Sequence, residues 1–133
     1  MRTVNIRPIA IEDCKLISEA FKEQSWDKPV DQYEYYLELQ KQGLRDIILA
    51  EVNQQFAGYL TIAWQSNYKP FRQAAIPEVV DFNVLKKFQR QGIGTILMNE
   101  AERRIGTKSS FAGIGVGLMQ DYGAAQILYI KRG

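Results

Sequence analysis

Apolar and polar positions alternate from Thr3 to Ile9 closely enough to predict a first strand, with Pro8 near its end. Cys14, Ile17 and Phe21, with Ala20 beside them, then recur at helical spacing and predict a helix from about Glu12 to Gln24. Asp31 followed by Glu34 has the form of a capping box opening a second helix. Tyr33, Tyr36, Leu37 and Gln40 make its face, and Gly43 ends it. Two apolar, β-branched or aromatic runs, Asp46–Val52 and Phe56–Trp64, joined by Asn53-Gln54, predict a hairpin. Gln65–Pro77, with Tyr68, Pro70, Phe71 and Pro77, reads as a loop, and Pro77–Leu85 as a further strand. Gly92–Ile105 is amphipathic, with Ile93, Ile96, Leu97, Ala101 and Ile105 on one side. Ser110–Val116 predicts a last strand. Asp121–Arg132 predicts a last helix, with Ala125, Leu128 and Tyr129 on one face and Gly133 as its stop. The order of elements is that of a mixed α/β layer fold, a sheet flanked by helices.

The length of 133 residues suits a single domain spanning 1–133. The formal charge of +2 favours neither nucleic acid nor membrane as a partner and fits a mixed, solvated surface. The chain has no histidine, which excludes the triads that use imidazole as base and the usual zinc ligands. One cysteine, Cys14, forms no internal disulfide, and its place on an apolar helix face reads as packing. Chemistry is left to carboxylates, tyrosines, lysines and backbone amides, with no metal expected. The start, MRTVNIRPIAIEDCK, is charged early and lacks a long apolar run, so it reads as neither signal peptide nor membrane span. The expected setting is the cytoplasm.

The most specific feature is Gln89-Arg90-Gln91-Gly92-Ile93-Gly94-Thr95, between a predicted strand and an amphipathic helix. Two glycines one residue apart let the backbone approach a ligand closely. Their amides, with those of Gln91 and Ile93, belong to a helix start, where four N–H groups lack partners and the peptide dipoles favour an anion. A diphosphate suits such a site. Arg90, with Lys86 and Lys87 upstream, adds positive charge. A dinucleotide fingerprint would need Gly or Ala where Leu97 stands, and no Gly-Lys-Ser/Thr of a P-loop is present.

Gln89-x-x-Gly92-x-Gly94 resembles the Gln/Arg-x-x-Gly-x-Gly/Ala motif of the GNAT superfamily of acyl-CoA N-acyltransferases. The preceding Val84-Leu85-Lys86-Lys87-Phe88 is similar to that family's strand end, with Lys86 where proline is common. The closing Ala125-Gln126-Ile127-Leu128-Tyr129-Ile130-Lys131-Arg132-Gly133 resembles its Ala-x-x-Leu-Tyr-x-x-x-Gly helix. The resemblance implies the acyl-CoA N-acyltransferase fold and transfer of an acetyl group from acetyl-CoA to a primary amine by direct attack. It also implies a pantetheine arm bonded by backbone groups near Phe82, Val84 and Leu85, with the thioester carbonyl by the amide of Val84 as oxyanion donor.

Acyl transfer to an ammonium needs a base, since a free alkylamine has a pKa of about 10. Glu78 lies six residues before Val84, where the period of two puts both on one face of a strand, and it matches the glutamate base of some family members. Asp81, on the opposite face, is the second choice. Tyr129 matches the tyrosine that protonates the coenzyme thiolate in many relatives, and a phenol is a neutral donor near neutral pH. Tyr122 stands where the family often has an asparagine touching the coenzyme. In this fold Trp26, Tyr33, Tyr36, Trp64, Tyr68 and Phe71 occupy segments that build the acceptor pocket, for a small-molecule or peptide amine. Two further strands usually follow the position of Gly133. Without them the sheet is expected to end near Phe111–Val116 on an open edge; either the chain is truncated at its C-terminus or a second copy covers that edge as a homodimer. A non-catalytic acyl-CoA sensor or an interaction module would carry the same loop.

Overall fold

The hairpin forms the middle of the sheet. In a computed structural model, which describes residues 2–114 and 126–130, β2 (Arg45–Val52) and β3 (Gln55–Ala63) pair antiparallel. Asn53 (φ 50°) and Gln54 (φ 70°) both take the left-handed conformation that a two-residue turn between twisted strands requires. Around this pair lie β1 (Val4–Pro8) on β2 and β4 (Glu78–Val84) on β3, both antiparallel. β5 (Phe111–Ile114) runs parallel to β4, and β6 (Gln126–Tyr129) antiparallel to β5, which gives the order β1-β2-β3-β4-β5-β6.

Alternation along β2 divides the core in two. Ile48, Ala50 and Val52 face a cluster with Ile93, Leu97, Ala101 and Ile105 of α4 (Ile93–Gly106). Ile47 and Leu49 face Cys14, Ile17 and Phe21 of α1 (Ile11–Glu23) and Tyr33, Tyr36 and Leu37 of α2 (Val30–Lys41). Both helices therefore bury the stripes that their spacing predicts, and Cys14 is packed as expected.

Two local expectations change. Asp31 does not cap α2: Pro29 holds the N-cap position and Asp31 falls in the first turn, where the fixed proline φ starts the helix without a side-chain cap. The reciprocal bond occurs on α1 instead, where Asp13 accepts from the Ala10 amide at 2.7 Å and from both Arg7 nitrogens. The predicted loop Gln65–Pro77 contains a short helix, α3 (Lys69–Gln73), that sets the Phe71 ring against Gly113 of β5.

The predicted helix over Asp121–Arg132 is, in its described part, the strand β6. Ile127 and Tyr129 face outward while Ile130 is buried, a period of two in a β-branched and aromatic run. Its pairing with β5, Phe111 opposite Tyr129 and Gly113 opposite Ile127, satisfies the β5 edge. Among the described residues the sheet thus ends on β6 and not near Phe111–Val116, so the outer edge belongs to β6. Positions 115–116, 121–125 and 131–133 lie outside the described residues. Among the described residues, no helix is long and apolar enough to cross a membrane.

Candidate coenzyme and acceptor site

The chain leaves β4, makes one 3-10 turn over Lys86–Phe88, and enters α4 through the glycine loop. Gly92 is the N-cap at φ 82°, a left-handed conformation that costs a non-glycine residue about 1–2 kcal/mol. The first bond of the α4 ladder is donated by Ile96 to the Gly92 carbonyl at 3.1 Å, so the amides of Ile93, Gly94 and Thr95 precede the ladder. A Cβ on Gly94 would stand 3.4 Å from the Phe82 ring. Strand end and helix start are therefore close neighbours, and a cleft of about 410 Å³ opens there. Phe82, Val84, Phe88, Gln89, Arg90, Gly92, Ile93, Gly94 and Thr95 line it.

The loop is held by its own side chains. Gln89 Nε2 donates to the Val84 carbonyl at 3.1 Å, and Gln91 Nε2 to the Lys87 carbonyl at 3.2 Å. Arg2 reaches across from the start of the chain and donates to the Gln91 carbonyl, adding positive charge beside Arg90. The Leu85 amide bonds the Ala57 carbonyl at 2.8 Å, and ladder alternation then turns the Val84 N–H away from β3, toward the β5 side. Among the described residues β5 pairs with β4 only at Glu78 and Val79, so the rest of that side of β4 is not met by β5. A peptide-like arm entering there would find backbone donors and acceptors aimed at it.

The register between β3 and β4 shifts between Tyr59 and Thr61, so β4 carries one extra residue. Asp81, at φ 57°, is where that bulge bends the strand. The consequence corrects the reading from periodicity. Val84 stands opposite Gly58 on the α4 side, whereas Glu78, opposite Ala63, is on the α1–α2 side. Glu78 and Val84 therefore do not share a face. Asp81 joins Glu78 on the α1–α2 side, where its carboxylate meets Tyr36, Tyr59 and Gln32.

The two carboxylates differ in setting. Glu78 is buried and accepts from Ser66 Oγ, which itself accepts from the Tyr68 amide at 2.9 Å. Asp81 Oδ2 accepts from Tyr36 at 2.8 Å, Tyr59 at 2.9 Å and Gln32 at 2.9 Å. Oδ1 accepts from Asn83 at 2.8 Å and has the Lys28 ammonium at 3.9 Å. The phenols respond to this environment. Burial, then the Asp81 charge and the bond donated to it, push Tyr36 up to about 12. Burial raises Tyr33 and Tyr59 still further, and the two hydroxyls lie 3.0 Å apart.

A model of the acetyltransferase (GNAT) family matches residues 12–133. The chain belongs to that family. By sequence alone, no curated protein matches the chain. Its GNAT fold recurs in solved structures of low identity. An N-acetyltransferase from Staphylococcus aureus Mu50 is 17% identical, with TM-score 0.68 over 85% of this chain and 73% of that one. PaiA N-acetyltransferase from Thermoplasma acidophilum, solved with coenzyme A, is 14% identical, with TM-score 0.64 over 90% and 87%. YncA from Salmonella typhimurium, solved with acetyl-CoA, is 21% identical, with TM-score 0.62 over 84% and 68%.

Of the positions that the GNAT motifs single out, Phe82, Val84, Gln89, Arg90, Gly92, Ile93, Gly94 and Thr95 come together around the cleft. Gln91 belongs to the loop but spends its side chain on Lys87. Leu85 turns into the other core, buried, with its amide taken by Ala57. Tyr129 is not brought to the cleft: it is 68% exposed, edge-on to Phe111, at the end of the sheet away from the start of α4. Tyr122 lies outside the described residues. Among the aromatic candidates, Tyr33 and Tyr36 join the Asp81 network, Trp26 lies over the Lys28 ammonium, and Trp64 donates to Asp46 and stacks under Lys108. Tyr68 and Phe71 pack on each other. Sequence reading missed Phe88 and Arg2 at the cleft and the Lys28–Asp81 pair; a spacing argument has no means of joining positions 53 residues apart (81 minus 28).

Proposed function

We propose that the chain moves the acetyl group of acetyl-CoA to a primary amine in a ternary complex. The observation that carries this is the cleft where the side of β4 that no described residue of β5 meets beyond Val79 lies against the α4 start. There a left-handed Gly92, unladdered amides and Arg90 suit a diphosphate, and Val84 offers an N–H to a neighbouring carbonyl. The residues fit the group: an anionic end at the helix start and a peptide-like arm along β4. The coenzyme supplies the activated thioester.

Val84 N–H stabilises charge on the carbonyl oxygen as the amine nitrogen bonds to the carbonyl carbon. The carbon–sulfur bond then breaks, and the sulfur takes a proton from solvent. Glu78, on the α1–α2 side of β4, is the proposed destination of the ammonium proton. At about 3.3 Å per strand residue Glu78 stands roughly 20 Å along β4 from Val84, so the proton reaches it through a relay of several waters and not by direct contact. Bidding for the same task, Asp81 is already engaged by four donors.

The test follows thiol release from acetyl-CoA over a panel of amines, with Glu78→Gln alongside. Amine-dependent release, reduced about 10²–10⁴-fold in the variant with the rise toward alkaline pH steepened, is the expected result. Coenzyme binding without release under any amine would replace this reading with an acyl-CoA sensor.

A further inference from the structure

The Lys28 ammonium sits in a setting made for a primary ammonium. Its Nζ lies 4.4 Å from the Trp26 ring centroid and 5.4 Å from that of Phe21, within the range of cation–π attraction. On its remaining side is Asp81 Oδ1, and the Lys28 side chain is only 11% exposed. Aromatic faces and one carboxylate are what recognise an alkylammonium.

The fit is incomplete at one point. Asp81 Oδ2 takes three donors, and among the described residues Oδ1 takes only the Asn83 amide. Lys28 stops 3.9 Å away, about 1 Å short of a charge-assisted hydrogen bond. A lone pair of Oδ1 therefore faces a cation that does not reach it. Lys28 also belongs to the link between α1 and α2, whose backbone is anchored by Ser18 at the Lys28 carbonyl.

This seat adjoins the coenzyme cleft. Asp81 directly precedes Phe82, which lines the cleft, and Gln24 Oε1 of the same link accepts from the Lys86 amide at 2.9 Å. Resting on the reading of that cleft as the donor site, we propose that the Asp81–Trp26–Phe21 seat is the acceptor site for an unbranched primary alkylammonium. Lys28 occupies the seat in the free chain as an internal stand-in. The substrate class follows from the occupant: four methylenes ending in an ammonium are the shape of a lysine side chain or a linear alkylamine. An acceptor ammonium takes the free lone pair of Oδ1 and displaces Lys28 toward solvent.

The probe is n-butylamine, which copies the Lys28 stem, with glycine as an acceptor that carries a carboxylate. Initial rates with acetyl-CoA are compared in the wild-type chain, Lys28→Ala, which vacates the seat, and Lys28→Arg, which keeps it filled. The expected result is a fall of about tenfold in KM for n-butylamine in Lys28→Ala, with kcat within about twofold, and no fall in Lys28→Arg. Independently of turnover, n-butylamine raises the Tm of Lys28→Ala more than that of wild type, and the gain vanishes when Asp81→Asn is added. An unchanged KM in Lys28→Ala, with the coenzyme A thermal shift intact, overturns the proposal. A KM that rises for glycine alone also overturns it, because Lys28 would then be holding an acceptor carboxylate. If coenzyme A stabilises none of the chains, the reading of the cleft fails, while the n-butylamine melting shifts still decide the seat.

Discussion

At the scale of single residues, the chemistry is concentrated where one backbone position breaks the rule of its strand. Asp81 takes a left-handed φ inside β4, and by doing so brings a carboxylate among three phenols from α2 and β3. Those phenols stay neutral because burial and the Asp81 charge oppose ionisation, holding Tyr36 at about 12 and Tyr33 and Tyr59 above it. A phenol whose folded pKa exceeds its unfolded value of about 10 contributes stability that is present below pH 10 and lost as pH rises through the folded value. Phenolate absorbance should therefore appear in two stages, exposed tyrosines first and these three only with alkaline unfolding. A single early step that includes all of them, with the fold retained, would contradict the buried network. No feature of residue spacing announces this bulge, and the period-two argument joining Glu78 to Val84 fails because of it.

At the scale of elements, β4 is both a packed strand and half of the proposed site, and Gly58 is what lets it approach β3. A Cβ there would stand 2.7 Å from the Asn83 carbonyl oxygen and 3.0 Å from the Val84 Cα, both backbone atoms that no rotamer change can move. Gly58→Ala should cost roughly 1–3 kcal/mol by overpacking, read from chemical denaturation. It should also weaken coenzyme A binding, since the atoms displaced belong to the cleft wall. Stability lost with coenzyme affinity unchanged would mean that the β4 end is not part of the donor site. The helices were legible in the spacing of Ile17 and Phe21, and of Leu97, Ala101 and Ile105, because each buries one stripe against the sheet. β6 was not, because Ala125, Leu128 and Tyr129 fit a helical face while Gln126–Tyr129 also fits a strand beside an open edge. Short apolar runs carry both periods, and the neighbouring β5 edge selects one.

For the whole molecule, the separation of the faces divides the labour. The α4 face carries the glycine loop and the proposed donor cleft, and the α1–α2 face carries both carboxylates and Lys28. Coenzyme A at about 100 times its Kd should stabilise the fold by about 2.7 kcal/mol, seen as a rise in Tm. Because the loop side chains of Arg90 and Gln91 are exposed, the rise should shrink with added salt and fall in Arg90→Ala. A shift indifferent to both would place the ligand elsewhere.

The sequence by itself determined the hairpin, the amphipathic helices and the glycine loop that opens α4, since each is written in neighbouring residues: a turn pair, a 3.6-residue stripe, two glycines before a helix. It also carried the family, whose motifs are local. Only the tertiary structure decided which faces met. The extra residue in β4 reversed the relation of Glu78 to Val84, pairing with β5 made a strand of Gln126–Tyr129, and packing of α1 and α2 on the sheet set Lys28 beside Asp81. Each of these depends on contacts between residues far apart in the chain, where a shift of one position turns a side chain to the other side of the sheet.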